Sequence, residues 1–278
     1  MGFGNPLIYR SSASGYELVP GQRVNRLGKI TTINDLGGRG PALPRQPSAD
    51  RLRVLSIGDS VANGGTQIND EQTYPMLTGA CLRTAGLPAE VLNVAAGGWA
   101  VQNEAAWLKA HGVFGARVVL LEVNEKDLDQ AFGDASLLDR NPSFPSHRPA
   151  TGLSEILFRY ALPRFGLGVA ADPGSTAGAF NAANVGAVMN AIGEIKSLSD
   201  AAGARMAILY WDPLMSGAAG AGRAREQLFA WANGHGVQII RPQLNRRRDA
   251  PGLFRDGIHP NERGNAIIAS AICQARVI

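Results

Sequence analysis

The sequence predicts an α/β fold: a three-layer α/β/α sandwich around a five-stranded parallel sheet. Two observations predict it. From residue 51 onward, five short apolar runs alternate with segments of helical periodicity, and that order builds a parallel sheet through right-handed crossovers. The first run, Leu52–Ile57, stops abruptly at Gly58-Asp59-Ser60, as a buried strand closing in a tight turn does. The expected strand order is 2-1-3-4-5, with its reversal between the first and third strands.

Residues 1–50 are rich in Gly, Pro, Ser and Asn and show no sustained periodicity. They read as an arm packing on the domain, with a short strand or two around Tyr16–Val19 and Lys29–Ile33. The domain itself spans 51–278. After Ser60, Glu71–Ala85 reads as a helix stopped by Gly86. Val91–Val94 is the second strand and Val101–His111 the next helix. Arg117–Val123 is the third strand, strongly apolar, running into Asn124-Glu125-Lys126-Asp127.

Residues 129–180 are the longest irregular stretch, with a short amphipathic helix expected at Leu153–Leu162 and loop over 164–178. An insertion of that length in a compact domain suits a lid or a substrate-binding loop. Asn184–Ala202 follows as a helix with Val188, Ile192 and Ile195 on one apolar stripe. Arg205–Trp211 is the fourth strand, Ala221–Asn233 a helix, and Val237–Ile240 the fifth strand. Asn261–Gln274 is the closing helix, with Pro260 at its first position.

Two places carry chemistry. Ser60 lies just past the carboxyl end of the first strand, where open α/β sheets bind ligands. A serine there serves equally as a helix cap. Far downstream, Asp256-Gly257-Ile258-His259-Pro260 places a carboxylate three residues before an imidazole. A serine hydroxyl needs a base within hydrogen-bond reach, and the base needs a carboxylate to fix its tautomer. Ser60, His259 and Asp256 thus form a candidate nucleophile, base and orienting acid. His147 has no acidic neighbour in sequence and reads as a loop histidine.

Gly-Asp-Ser after the first strand, paired with Asp-x-x-His-Pro before the last helix, resembles the SGNH or GDSL hydrolase family over residues 51–278. The resemblance implies the flavodoxin-like strand order and an esterase, lipase or carbohydrate deacetylase activity. The serine context is not the G-x-S-x-G elbow of α/β-hydrolases, because position 62 is Ala. In the family, a glycine after the second strand gives its N–H to the oxyanion hole, and Gly98 matches it. An asparagine after the third strand gives a second donor. Aligned on the following Asp-Leu, that position holds Lys126; aligned on asparagine, it is Asn124. The stretch Tyr16–Pro20 and Ile33–Gly40 is also similar to a segment preceding the catalytic domain in some bacterial members, and reads as a structural lead-in. Trp99 suits a pocket wall or the core.

The expected function is a serine ester hydrolase acting through an acyl-enzyme, on short acyl groups and on a small-molecule or carbohydrate ester. An O-acyltransferase with the same triad, or a non-catalytic carbohydrate-binding protein, are the rivals. No cofactor is expected, and no metal, since the four histidines have no ligand spacing. Net charge is +4 with scattered arginines, Arg246–Arg248 being the one tight run; nothing interleaves basic and aromatic residues as nucleic-acid binding would. No apolar run is long enough to span a membrane. The N-terminal residues lack a signal-peptide pattern, so a cytoplasmic location is the default expectation, and an extracytoplasmic one if a leader has been removed. Cys81 and Cys273 lie in the first and last helices of the domain, which could be neighbours on one face of the sheet; a disulfide is open, and two buried thiols are the favoured reading.

Overall fold

The computed structural model describes residues 2–162, 165, 180–214 and 220–275. The central sheet has five parallel strands. β5 (Leu52–Gly58) lies between β6 (Ala89–Ala95) and β7 (Val118–Asn124), followed by β8 (Arg205–Trp211) and β9 (Gln238–Ile240) at the edge. Numbered within the domain, this is the order 2-1-3-4-5. The strands read as near-continuous apolar runs because helices cover both faces. Helices Val101–His111, Ala182–Ala201 and Ala221–Gly234 pack on one face, against Leu55, Ile57, Val119 and Ile208. Helices Tyr74–Thr84 and Glu262–Gln274 pack on the other, against Val54, Leu120, Ala207 and Leu209.

Two helix starts differ from the sequence expectation. The segment from Glu71 is a single tight turn, Asp70–Gln72, and the α-helix begins at Tyr74 with Pro75 in its first turn. A proline lacks the N–H that a helix interior requires, so it sits where that donor would be unused. At the closing helix Asn261, not Pro260, governs the start: its side chain accepts from the N–H groups of Arg263 and Gly264, which leaves Pro260 just outside.

The arm is more ordered than its composition suggested. It forms two antiparallel hairpins, β1–β2 (Tyr9–Ser12 with Gly15–Leu18) and β3–β4 (Gln22–Arg26 with Lys29–Ile33). It joins the sheet edge where the Arg39 N–H donates to the Asn93 carbonyl at 2.7 Å. The described part of 129–162 leans on this arm. Phe144 packs between Tyr9 and Tyr16. Glu155 pairs with Arg26 at 2.7 Å, both side chains buried. The expected helix is a turn at Gly152–Glu155 that widens over Ile156–Ala161. Of the loop expected over 164–178, only Phe165 lies within the described residues.

The cysteines are not free thiols. Cys81 and Cys273 form a disulfide across 192 residues of sequence, with Cα atoms 6.4 Å apart. The helices that carry them pack side by side, which brings the two Cβ atoms within bridging reach. Thiol titration of the denatured, unreduced protein is expected to find none. Cys81→Ser is expected to lower the unfolding free energy by about 2–5 kcal/mol, measured by chemical denaturation; equal stability and two titratable thiols would contradict the pairing.

Candidate active site

β5 ends flush with β6, Gly58 opposite Ala95, and the chain turns at once into the single-turn helix Ser60–Asn63. Gly58 is required by its neighbour. A Cβ there would lie 2.9 Å from both Cβ and Oε2 of Glu122. Asp59 caps the turn, its Oδ1 accepting from the Val61 N–H at 2.7 Å. The capping role thus falls to Asp59, and the Ser60 side chain is left to face the site.

Two amides stitch this turn to the second strand. Asn63 Nδ2 donates to the Ala95 carbonyl and Asn93 Nδ2 to the Ala62 carbonyl, at 3.0 and 2.8 Å. Arg39 closes it from behind. Its fully buried guanidinium donates to the carbonyls of Asn63, Gly65 and Ile68 and to Asp70. Burial pushes its pKa down, and Asp70 opposes that shift. The lead-in segment therefore has a definite task, holding the chain that follows Ser60.

The structure brings Ser60, His259 and Asp256 together. His259 Nε2 lies 2.9 Å from Ser60 Oγ, and Nδ1 lies 2.8 Å from Asp256 Oδ2. Asp256 Oδ1 accepts from the N–H groups of Ile258 and His259. Partial burial raises the Asp256 pKa, but these N–H donors and the imidazole outweigh it and hold the carboxyl below its ordinary range. Asp256 therefore stays ionised beside the ring nitrogen it holds. The loop is braced by the Arg255 N–H on the His259 carbonyl at 2.8 Å and by the Arg255 guanidinium on Gln67. His147 is exposed and pairs with Asp139 instead.

Gly98 adopts φ +71°, a conformation suited to glycine. Among the described residues, neither its N–H nor that of Ser60 has a hydrogen-bond acceptor. Asn124 and Lys126 divide differently. Asn124 is buried as the cap of the turn after β7: its Oδ1 accepts from the Lys126 N–H and its Nδ2 donates to Asp127 at 2.6 Å. One of the two Nδ2 hydrogens is thereby used, and the Lys126 side chain is half-buried. Trp99 is a core residue, 2% exposed, with Nε1 donating to the Tyr16 carbonyl.

Beneath Ser60 lies a feature that sequence reasoning did not single out. Carboxylate oxygens of Asp59, Glu122 and Asp127 lie within 4.8 Å of one another, all three residues buried. Glu122 Oε1 accepts from Trp211 Nε1 at 2.6 Å, whereas its Oε2 is buried with no donor among the described residues. Burial, reinforced by the neighbouring carboxylates, holds Glu122 and Asp127 well above the ordinary carboxylate range; burial also raises Asp59. The visible signal was a lone glutamate inside the apolar run Val118–Val123.

No protein-family model matches the chain, and no curated protein matches it either. Solved structures do. The chain is similar to a lipolytic protein of the G-D-S-L family from Veillonella parvula, at 15% identity and TM-score 0.51, over 80% of this chain and 97% of that one. It is similar to Axe2, an acetylxylan esterase from Geobacillus stearothermophilus, at 12% identity and TM-score 0.52, over 82% and 94%. A third similar structure is LAE5, an alpha/beta hydrolase enzyme from the metagenome of Lake Arreo, at 17% identity and TM-score 0.51, over 81% and 94%. The architecture is thus that of the GDSL, or SGNH, lipolytic proteins.

The buried acids make a prediction with a definite sign. A carboxyl whose folded pKa is raised stabilises the fold below its unfolded pKa, and that contribution is lost as pH rises through the folded value. For Glu122 the loss begins above about pH 4.3. Glu122→Gln mimics the protonated acid and cannot ionise. Its Tm relative to the wild type is expected to rise steadily from about pH 5 to about pH 8. Parallel melting curves for the two proteins would show that Glu122 is not held protonated.

Proposed function

We propose that this protein is a serine ester hydrolase working through an acyl-enzyme, with Ser60 as nucleophile, His259 as base and then acid, and Asp256 as the group that orients the imidazole. The observation that carries the reading is the unbroken chain Ser60 Oγ, His259 Nε2, His259 Nδ1, Asp256 Oδ2, with links of 2.9 and 2.8 Å.

Ser60 Oγ attacks the ester carbonyl carbon while its proton passes to His259 Nε2. Asp256 accepts the Nδ1 proton in a hydrogen bond and stabilises the imidazolium. The negative charge that develops on the carbonyl oxygen is received by the N–H groups of Ser60 and Gly98, with Asn124 Nδ2 or the Lys126 ammonium as the third donor. Collapse of the tetrahedral species breaks the ester C–O bond, and the departing alcohol takes the proton from His259. A water then attacks the acyl-enzyme, gives its proton to His259, and leaves the carboxylic acid and a restored Ser60 hydroxyl.

We infer a short acyl group on a carbohydrate alcohol. Support for that class comes from the fold shared with Axe2, an acetyl-xylooligosaccharide esterase, and from a solvent-open triad, whose Asp256 side chain is 55% exposed. The insertion at 129–180 is the element proposed to select the alcohol. Disulfides persist in oxidising compartments, so the Cys81–Cys273 bridge favours an oxidising location over the cytoplasmic default.

Hydrolysis of p-nitrophenyl acetate tests the proposal. Ser60→Ala and His259→Ala are each expected to lower kcat by about 10⁴- to 10⁶-fold, and Asp256→Asn by about 10⁴-fold. Wild-type turnover no faster than Ser60→Ala would end the hydrolase reading. Lys126→Ala is expected to lower kcat by about 10²-fold with KM little changed; an unchanged kcat would remove Lys126 from the oxyanion site.

A further inference from the structure

We propose that Tyr16 of the N-terminal arm, together with Gln130 of the insertion, is a positioning residue that aims the Gly98 N–H at the oxyanion. The inference rests on the hydrolase reading, in which that N–H is a donor. It extends the site to two segments that contribute no reacting group.

One peptide plane links the arm to the donor. The carbonyl of Gly97 and the N–H of Gly98 belong to the same trans amide, so they point in opposite directions. Tyr16 Oη donates to the Gly97 carbonyl at 2.8 Å. Whatever holds that carbonyl on the arm side also turns the Gly98 N–H away from the arm, as the hydrolase reading requires of an oxyanion donor. Gln130 fixes the next plane, its Nε2 donating to the Gly98 carbonyl at 3.0 Å. Two successive carbonyls are thus tethered on either side of a glycine, the residue type with the least conformational restraint of its own.

Tyr16 is itself immobilised. It is fully buried, and its carbonyl accepts from Trp99 Nε1 at 2.8 Å. Its ring meets Tyr9 and Phe144 edge-on, with centroids 5.9 and 5.2 Å away. The Tyr9 hydroxyl lies beside Gly97 as well, 3.6 Å from where a Cβ would project. A Cβ on Gly98 would meet Tyr16 Oη at 3.0 Å and Phe144 at 3.1 Å. The turn is therefore moulded against the arm as well as tethered to it. An oxyanion donor acts through its orientation before the reaction begins, and a loosely held peptide would rotate freely about a glycine.

Tyr16→Phe removes the hydroxyl and keeps the ring packing. Its kcat for p-nitrophenyl acetate is expected to fall by about 10- to 100-fold, with KM within about twofold. The affinity for phenylboronic acid, whose serine adduct mimics the tetrahedral species, is expected to fall in proportion, while the pH profile of kcat keeps its midpoint. Gln130→Leu is expected to show the same pattern to a smaller extent, and it carries the test if Tyr16→Phe does not fold. A purely structural role would lower Tm while leaving kcat and boronate affinity of the folded fraction unchanged, and that result overturns the proposal. Wild type active and both variants equally active overturns this inference alone; no wild-type turnover at all overturns the hydrolase reading with it.

Discussion

The structure depends on the register between β5 and its two neighbours. With Gly58 level with Ala95 on one side and Ile57 level with Leu121 on the other, three strand ends converge on one small volume. Ser60 leaves from the first, Gly98 follows the second, and Asn124–Asp127 follows the third. A slip of one residue in any pairing would turn those side chains to the opposite face. The apolar runs that set the register are buried on both sides, so the core packing and the site geometry are fixed by the same contacts.

Around that crevice the polar groups divide by depth. At the surface, Asp256 is ionised and held by backbone N–H groups, which suits it to steady a charged imidazole. Below, Asp59, Glu122 and Asp127 crowd where burial disfavours charge. Gly58 lets Glu122 approach the strand end closely, and Trp211 anchors the far oxygen of the same carboxyl. These buried carboxyls lie beneath the turn that carries the Ser60 hydroxyl, and burial raises the pKa of all three. Behind the turn, Arg39 gathers three carbonyls that the single-turn helix and its exit leave without partners.

Much of this was legible in the sequence, for physical reasons. Buried parallel strands are continuous apolar runs, so Leu52–Ile57 and Arg117–Val123 announce themselves, and the strand–helix alternation makes the sheet parallel; the order 2-1-3-4-5 came with the resemblance carried by the Gly-Asp-Ser and Asp-x-x-His motifs. The Asp256–His259 pair is legible because both residues sit on one tight turn. Contacts made at long range are not. Nothing near Tyr16 says that its hydroxyl ends on Gly97, 81 residues on, and the expected positions of the Cys81 and Cys273 helices left free thiols and a bridge both open. The arm looked irregular because its short strands alternate around glycines, as in Gly15 and Gly28, and hairpins of that length need the domain to hold them. Asn124 was ambiguous because one residue type serves both as a turn cap and as an amide donor: its Oδ1 caps the turn while its Nδ2, bonded once to Asp127, keeps a second hydrogen.

The central claim is that the Ser60 hydroxyl is made nucleophilic by His259. Reaction with a fluorophosphonate probe measures this directly, without knowledge of the natural ester. The account predicts a single adduct, located on Ser60 by peptide mass, whose formation is abolished by His259→Ala. A folded wild-type protein that stays unlabelled, or one labelled equally well without His259, would contradict it.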